Sequence, residues 1–545
     1  MGTLLRRSLN NPKFLLAITA ALLAFVVQSG ELGSADTMHR LQTAHSFWTH
    51  QPAVFPSEYP EFGVHGRGGK LYDWYGIGQP LLMLPADFVG TFIEKLPIFA
   101  DYNGNDPTIR NIFVSYTTNI LINVLTALVC FRLLQLLGFG LRHSAAGVLA
   151  LLFCTTHLHY TQNMMENNYI LLLTLTGFAL QYEWLRTGNR RALLIGSAAF
   201  GLNLLTRLTT ALDLIAGGVF LLLVIWFEKA EKREFWAYLI NYLKTALPMY
   251  IFFLLIDRLY QFYRFGTWTD TYVHYFTLEH RLQDPTLPAK YPWETAFHLG
   301  FLGPLISPEK SIFLFDPLIV LTILVSIFAW KRFSPAVKAY VMAAGFLVLA
   351  YMCLYARYTV WSGDFAWGDR YVSSAVELAA FVSVPILLKF RKEMGSFLWA
   401  MGVFLIVGSL VIQLASLAFW LPLEIYQADD FGHPRFTIWL RFKNIIAFAL
   451  GKMNAWGLNT DSMTYDQWDY QHITTWNFMP FVLRRVGDAP RWAVDLALGA
   501  WYAGIASLEY MLIRLRAAIA QSKLTSTAKT EIDDSRTTNS IGSRT

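Results

Sequence analysis

Apolar stretches long enough to cross a bilayer, each needing about 20 residues, recur along this chain from Phe14 to Leu512. Short polar connections that carry basic residues separate them. So many stretches make one membrane domain, not a string of soluble ones. If the first helix runs outward and leaves Arg6, Arg7 and Lys13 in the cytosol, as the positive-inside rule prefers, each later connection has an expected side. Residues 31–110 become a long outer segment, and 111–137 returns inward to meet Arg132 and Arg142. The pair 144–160 and 168–186 ends at Arg186, Arg190 and Arg191. The pair 192–206 and 208–227 ends at the cluster holding Lys229, Lys232 and Arg233. Further spans at 236–257, 311–330, 337–357, 371–388, 396–420 and 491–513 put Lys331, Arg332, Lys338, Lys389, Arg391, Lys392, Arg514 and Arg516 inside. The expected fold is an all-α polytopic membrane protein of about 12 transmembrane helices with both termini cytosolic.

Four regions follow. Residues 1–420 form the transmembrane domain with its outer loop 31–110, and 421–490 form an outer aromatic-rich loop or small module. Residues 491–516 are the last helix. Residues 517–545, Ser/Thr-rich and without apolar periodicity after Leu524, are expected to be a disordered cytosolic tail. The basic start followed by Phe14 to Val27 also fits a signal peptide cleaved after Ala35. An uncleaved first helix is the commoner arrangement in a multispanning chain.

Composition agrees with a membrane setting. Of 545 residues, 54% are hydrophobic and 15% charged, against about 25% charged in soluble domains. The net charge of +6 lies in the clusters that set topology, so nucleic acid is not the expected partner. Cys130, Cys154 and Cys353 sit in apolar segments without metal-type spacing, which gives neither a disulfide framework nor a zinc site.

The same topology sorts the chemistry to one side. His39, His65, His157, His274 and His433 fall in outer loops or at outer helix ends, as do the long loops 31–110, 258–310 and 421–490. After the first helix, Ser34 can cap a short helix on which Asp36 and Arg40 lie one turn apart. They either pair in solvent, or Asp36 takes a proton from an acceptor hydroxyl while Arg40 meets phosphate. In His65-Gly-Arg67-Gly-Gly-Lys70 the glycines permit tight turns and the cations offer charge, but the ending of a Walker loop is missing. Asp73 and Gln79 follow as candidate substrate contacts. The stretch Pro80 to Phe99, interrupted by Pro85, Asp87, Glu94 and Pro97, is expected to be an interfacial or re-entrant helix.

The acid just past the first helix, Tyr75-Gly-Ile-Gly-Gln79-Pro with Pro85, Gly201-Leu-Asn-Leu-Leu-Thr-Arg207, Ser307-Pro-Glu-Lys310 through Asp316-Pro317, and Trp367-Gly-Asp369-Arg370-Tyr371 follow one another in this order. Together, over residues 14–390, they resemble the C-type superfamily of membrane glycosyltransferases, which includes protein O-mannosyltransferases and bacterial aminoarabinose transferases. The resemblance implies that superfamily's helical arrangement with long outer loops. It also implies transfer of a sugar from a polyprenyl-phosphate carrier to a lipid, glycan or protein acceptor on the outer face, with Asp36 as the catalytic base. Many relatives carry two adjacent acids there. This chain has Asp36 alone, with Glu31 five residues earlier, which leaves the role of a divalent cation open.

Other candidates carry alternatives. Glu166, at the turn between two spans, lines the site or is an exposed turn residue; His157 and His159 with it match no zinc motif. Arg207 pairs internally with Asp213 or reaches a lipid-linked phosphate. Lys310 and Arg370, at outer helix starts, meet the leaving phosphate or snorkel to headgroups. Asp369 either tunes Arg370 or pairs with it. In 421–490 the residues Trp439, Trp456, Trp468, Trp476, Asp461, Asp466 and Asp469 suggest a lid or acceptor module, or an interfacial aromatic belt. The rival function is a multispanning transporter or lipid flippase, which paired broken helices would favour. A surface-polysaccharide polymerase or ligase shares the donor chemistry. The expected location is a bacterial plasma membrane.

Overall fold

The computed structural model describes residues 11–57, 62–102, 107–229, 232–420, 422–429, 432–453, 475–485 and 489–541, with side chains through Gln521. Arg6, Arg7, Trp456, Trp468, Asp461, Asp466 and Asp469 lie outside the described residues. The described residues are helical apart from loops and one two-stranded hairpin. It opens with α1 (Pro12–Val27) and α2 (Ala35–Ser46), followed by the strands β1 (Val64–His65) and β2 (Leu71–Tyr72). Next come α3 (Gly78–Glu94), α4 (Ile109–Leu136), α5 (Leu141–Cys154), α6 (His157–Gln162), α7 (Asn167–Thr187) and α8 (Arg190–Thr206). The middle contains α9 (Ala211–Phe227), α10 (Lys232–Phe265), α11 (Tyr272–Gln283), α12 (Phe297–Ile306), α13 (Ile312–Phe315) and α14 (Leu318–Ala329). The rest is α15 (Pro335–Tyr355), α16 (Ser373–Ala380), α17 (Ser383–Lys389), α18 (Gly395–Ser416), α19 (Pro422–Asp429), α20 (Thr437–Ala449), α21 (Met479–Arg485) and α22 (Arg491–Ile541). α22 stays helical to Ile541, within the segment expected to be a disordered tail.

Six helical stretches among the described residues are long and apolar enough to cross a bilayer: Ile109–Leu136, Leu208–Phe227, Glu234–Phe265, Pro335–Tyr355, Gly395–Ser416 and Arg491–Gln521. They mark the chain as a membrane protein. Four of the other expected spans fall short of that test for visible physical reasons. The first is only 16 residues long. The stretch 144–160 breaks at Thr155, where the backbone turns extended. The stretch 311–330 breaks at Asp316-Pro317, because proline supplies no N–H to continue a helix. The stretch 371–388 divides between α16 and α17. Two of these interruptions meet each other and the side of α16. Asp316 accepts the Thr156 backbone N–H at 2.8 Å, and the Thr156 hydroxyl lies 2.9 Å from Asp316 and 2.7 Å from Glu377. Burial without water requires such partners for the backbone groups that a helix break exposes.

α7 runs through the centre. It packs on α4, α8, α9 and α16, and nearly all its residues to Trp184 are buried. Alternate helix ends thereby collect in two groups. At one, the basic residues Arg132, Arg186, Arg332 and Lys389 bond Glu183, Glu228, Glu393 and the Gly138 carbonyl. At the other lie the long loops, α2 and the hairpin. The hairpin turns through Gly68 and Gly69, both at positive φ (71° and 69°), so the tip bearing Arg67 and Lys70 projects outward and is exposed.

α3 lies along α2 and α4, as an interfacial helix would, with Phe88, Val89 and Phe92 exposed on one side. On its other side Asp87 is fully buried and receives Trp48 Nε1 (2.8 Å) and Arg110 Nε (2.5 Å), with His45 Nδ1 at 2.9 Å. The glycines of the 75–79 stretch explain themselves by contact. A Cβ on Gly76 would stand 2.2 Å from the Leu205 carbonyl oxygen, and one on Gly78 would stand 2.7 Å from the Thr206 nitrogen. Only glycine allows this loop to lie against the last turn of α8.

Beyond α18, the small unit of α19 and α20 is pinned by Arg441. Its guanidinium binds both oxygens of Glu424 (2.7 and 2.6 Å) and the Ser416 and Phe419 carbonyls (2.7 and 2.9 Å). Trp476 stacks on Phe419 beneath this unit, whereas Trp439 is exposed.

Gly78→Ala is expected to cost about 1–3 kcal/mol by overpacking, seen as a lowered thermal midpoint of the detergent-solubilised protein. Gly218→Ala, whose new methyl meets open space, should leave the midpoint unchanged or raise it. Equal losses in both would contradict the contact.

Candidate functional site

Local helix physics sets out the charges of the site. Ser34 caps α2 by accepting the Thr37 N–H, which places Asp36 in the first turn, where the helix dipole favours an acid. Glu166 is the N-cap residue of α7, and Arg207 is the C-cap residue of α8, again with the sign the dipole prefers. Arg370 and Tyr371 precede α16. Their turn is fixed by Asp369, whose side chain accepts the Tyr371 N–H at 3.0 Å.

Packing closes these residues into a ring. Asp36 Oδ2 binds Arg370 Nη1 at 2.7 Å. The Arg370 guanidinium lies over the Tyr371 ring at 5.3 Å, and Arg207 lies over the same ring at 5.1 Å. Arg207 pairs with Glu166 through Nη2 and Oε1. Glu166 Oε2 meets Arg40 Nη1 at 2.5 Å. The Arg40 guanidinium stacks on Tyr75 at 3.9 Å, and Tyr75 in turn stands beside Asp36 and helps to lower its pKa, completing the circuit. Three guanidinium groups thus face two carboxylates, and the ring keeps one positive charge in excess.

Asp36 feels this charge directly. Burial alone would raise its pKa, but Arg370 and Arg40, with hydrogen bonds from Tyr75 and Arg370, outweigh it and hold the carboxyl at about 2 against an ordinary 3.8. The Tyr75 phenol moves the other way, raised by burial and by Asp36. The ring is shielded but not sealed. The side chains of Asp36, Arg370 and Arg207 keep 16%, 15% and 18% of their surface exposed, whereas Arg40 and Glu166 keep 5% and 3%. The Arg370 Nε is buried and has no hydrogen-bond partner among the described residues.

The structure brings together Asp36, Arg40, Glu166, Arg207 and Arg370. Their pairing differs from the sequence reading. Asp36 binds Arg370 rather than forming a local pair with Arg40. Arg207 binds Glu166, while Asp213 accepts the hydroxyls of Thr174 (2.9 Å) and Tyr351. Glu166 is buried, not an exposed turn residue.

The remaining candidates stand outside the ring. Arg67 is exposed at the hairpin tip with its guanidinium 5.8 Å from the Phe262 ring. Asp73 is a packing residue. It accepts the Thr43 hydroxyl at 2.7 Å and lies 3.4 Å from Arg264, which also donates to the Asp73 and Tyr75 carbonyls (2.6 and 3.1 Å). Burial raises the Asp73 pKa, opposed by Arg264. Gln79 donates weakly to the Met164 carbonyl at 3.4 Å beside the Glu166 turn. Lys310 is turned inward and donates to the Asp364 and Ala366 carbonyls (2.6 and 2.9 Å), propping the loop that leads to Arg370. It is neither at a headgroup position nor in the ring. Burial brings Lys310 down to about 8 and Asp369 up to about 7, the latter opposed by the Tyr371 N–H and by Lys310.

Tyr75 and Tyr371 were quoted in the sequence motifs without a role, yet each supplies a ring face to an arginine. Their adjacency to Gly76 and to Arg370 was the available signal. Among the described residues no group of three His, Cys, Asp or Glu side chains is arranged to hold a metal. His157 Nε2 lies 2.7 Å from Asn123 Oδ1, and His159 stacks on Trp367. Both ring carboxylates are occupied by arginines, so the ring as built does not fit a divalent cation.

No family model matches the chain, and a search of curated proteins returned no match.

The depressed Asp36 pKa fixes a sign. The ion pair's contribution, about 2 kcal/mol, is fully present above the ordinary pKa of 3.8 and is lost as pH falls through about 2. The stability difference between wild type and Asp36→Asn should therefore be constant from pH 7 to pH 5 and shrink only below about 4. Thermal midpoints in detergent across this range check it; a difference that already fades between pH 7 and 5 would contradict it.

Proposed function

We propose that this protein is a glycosyltransferase that moves a sugar from a polyprenyl-phosphate carrier to a hydroxyl of a lipid, glycan or protein acceptor on the extracytoplasmic face. The observation that carries it is the ring itself. One partly exposed carboxylate, Asp36, stands 2.7 Å from Arg370 in a circuit that also holds Arg40 and Arg207. Sugar transfer from a lipid phosphate needs those two functions side by side: a proton acceptor and a set of cations for the departing phosphate. The ordered motifs that resemble the C-type membrane glycosyltransferases contribute Asp36, Tyr75, Arg207, Arg370 and Tyr371 to that circuit.

In the proposed reaction the acceptor hydroxyl gives its proton to an Asp36 carboxylate oxygen as its own oxygen bonds the anomeric carbon. The bond from that carbon to the phosphate oxygen breaks, and the phosphate leaves with the electron pair. The charge that appears on it is met by the guanidinium groups, whose planar donors suit phosphate oxygens. Asp36 later returns its proton to water. The exposed apolar side of α3 would lie at the membrane surface beside the ring, where a lipid-borne donor arrives.

On this reading the six long helices are supplemented by shorter and interrupted ones to make about 12 crossings. The basic end with Arg132, Arg186 and Lys389 is cytosolic, both termini with it, and the membrane is a bacterial plasma membrane. One observation favours a transporter instead: the interruptions at Thr155 and at Asp316-Pro317 meet inside the bundle, an arrangement known at transport sites. The meeting point joins Thr156, Asp316 and Glu377 by hydrogen bonds, whereas the ring joins three cations to a partly exposed acid, so the ring supports transfer more than the meeting point supports transport.

Purified protein given radiolabelled polyprenyl-phosphate monosaccharides and membrane acceptors should transfer label, and Asp36→Asn should reduce the rate by about 100-fold or more. Folded wild-type protein that transfers nothing from any donor, yet moves lipid or solute across liposomes, would replace this function with transport.

A further inference from the structure

The ring in this state is closed against its own chemistry. Asp36 bonds Arg370 ahead of α16 at 2.7 Å, and it also lies in the field of Arg40, one turn along α2, and beside Tyr75 in the loop before α3. A carboxylate paired with one cation and in the field of a second is a poor proton acceptor, as its low pKa records. Arg370, for its part, spends on Asp36 one of the guanidinium donors that a phosphate would use.

We propose that the Asp36–Arg370 contact is an interlock in which the phosphate of a lipid-linked sugar donor, a phosphodiester with one negative charge, on entering the arginines of the ring takes Arg370 from Asp36 and so releases the carboxylate to receive a proton. The inference rests on the transferase reading for the identity of the entering group. It adds an order of events: the phosphate-bearing donor binds first, and only then can an acceptor hydroxyl be deprotonated. Three features of the ring support this. The excess positive charge leaves room for one more anionic charge without a change of protein charge. The two partners of the interlock are among the exposed members of the ring, so an anion can reach them. The Arg370 Nε, unpartnered among the described residues, gives the guanidinium a second donor to turn toward phosphate. A separate consequence is protection, since an unliganded site whose base is clamped does not activate water against a donor still arriving.

An interlock has an uncommon signature: Asp36 competes with the ligand for Arg370, so removing the Asp36 charge should tighten anion binding while it destroys transfer. Binding of a short-chain polyprenyl phosphate without sugar, and separately of inorganic phosphate, would be measured by calorimetry on the full-length protein in detergent. Four forms are compared: wild type, Asp36→Asn, Arg370→Gln and the double variant. Asp36→Asn should bind about tenfold tighter than wild type, the scale of one hydrogen bond to a charged group, and the gain should vanish in the Arg370→Gln background. A gain for both ligands assigns the effect to the phosphate group itself; a gain for the polyprenyl phosphate alone shows that the lipid is needed to seat it. If Arg370→Gln does not fold, Arg370→Lys, which keeps the charge without the planar fork, takes its place and should show a reduced gain.

Unchanged or weaker binding by Asp36→Asn overturns the interlock, as does an equal gain with and without Arg370, which would be general electrostatics. Absence of binding by either ligand to any form overturns it too. Because no sugar is transferred in this measurement, the two readings fail separately. An interlock gain in a protein that transfers nothing would leave the interlock and remove the transferase, and transfer without a gain would do the reverse.

Discussion

A guanidinium group taken out of water must be given a counter-charge or enough hydrogen-bond acceptors, because an uncompensated buried charge costs several kcal/mol. Much of this structure is organised by that constraint. Arg264 is held by Asp73, Gln261 and two carbonyls, with its Nε unpartnered among the described residues, and Arg441 by Glu424 and two carbonyls; both are wholly enclosed. Asp87 gathers Arg110, His45 and Trp48 in the same manner. Each of these knots ties a loop or a small helix to the bundle. The ring of Asp36, Arg40, Glu166, Arg207 and Arg370 obeys the same rule differently. It has one cation more than its acids, and its circuit is closed through the faces of Tyr75 and Tyr371 instead of through a third acid. Three of its members also keep an exposed edge. That incompleteness separates a site from a fastening.

The fold around the ring follows from what the ring needs. Its members come from five separate places in the chain, so the ends of α2, α7, α8 and α16 and the loop before α3 must arrive at one level. The bare backbone of Gly76 and Gly78 lets the loop lie on the end of α8, bringing Tyr75 and Arg207 into one neighbourhood. Lys310 holds the loop that carries Arg370 from behind, through two carbonyls. Asp369 completes that turn. Lys310, a phosphate candidate in the sequence, is therefore a support of the loop that carries Arg370.

The membrane character, the helical class and the concentration of chemistry at one end of the bundle were legible in the sequence, because long apolar runs and basic connections are local signals. The cap at Ser34 was legible for the same reason. What was not legible is who pairs with whom. Asp36 and Arg40 sit one turn apart and invite a local pair, but α2 turns them toward partners 334 and 126 positions away, Arg370 and Glu166. Arg67 and Lys310 carried the right charge in plausible motifs. One ended on a hairpin tip and the other in the interior, which depends on the register of Gly68 and Gly69 and on the carbonyls of residues 364–366. Fewer helices are long than the apolar runs suggest, partly because breaks at Thr155 and at Asp316-Pro317 divide runs that average as apolar. Hydropathy averages over such breaks, while backbone hydrogen bonding does not.

The central claim is that the ring is where a lipid-linked phosphate is received. A structure of the protein with a sugar-free polyprenyl phosphate bound tests it most directly. The account predicts the phosphate among Arg40, Arg207 and Arg370, with Asp36 separated from Arg370 and turned to the open side of the ring. A phosphate seated elsewhere, with the Asp36–Arg370 pair still at its present 2.7 Å, would contradict it.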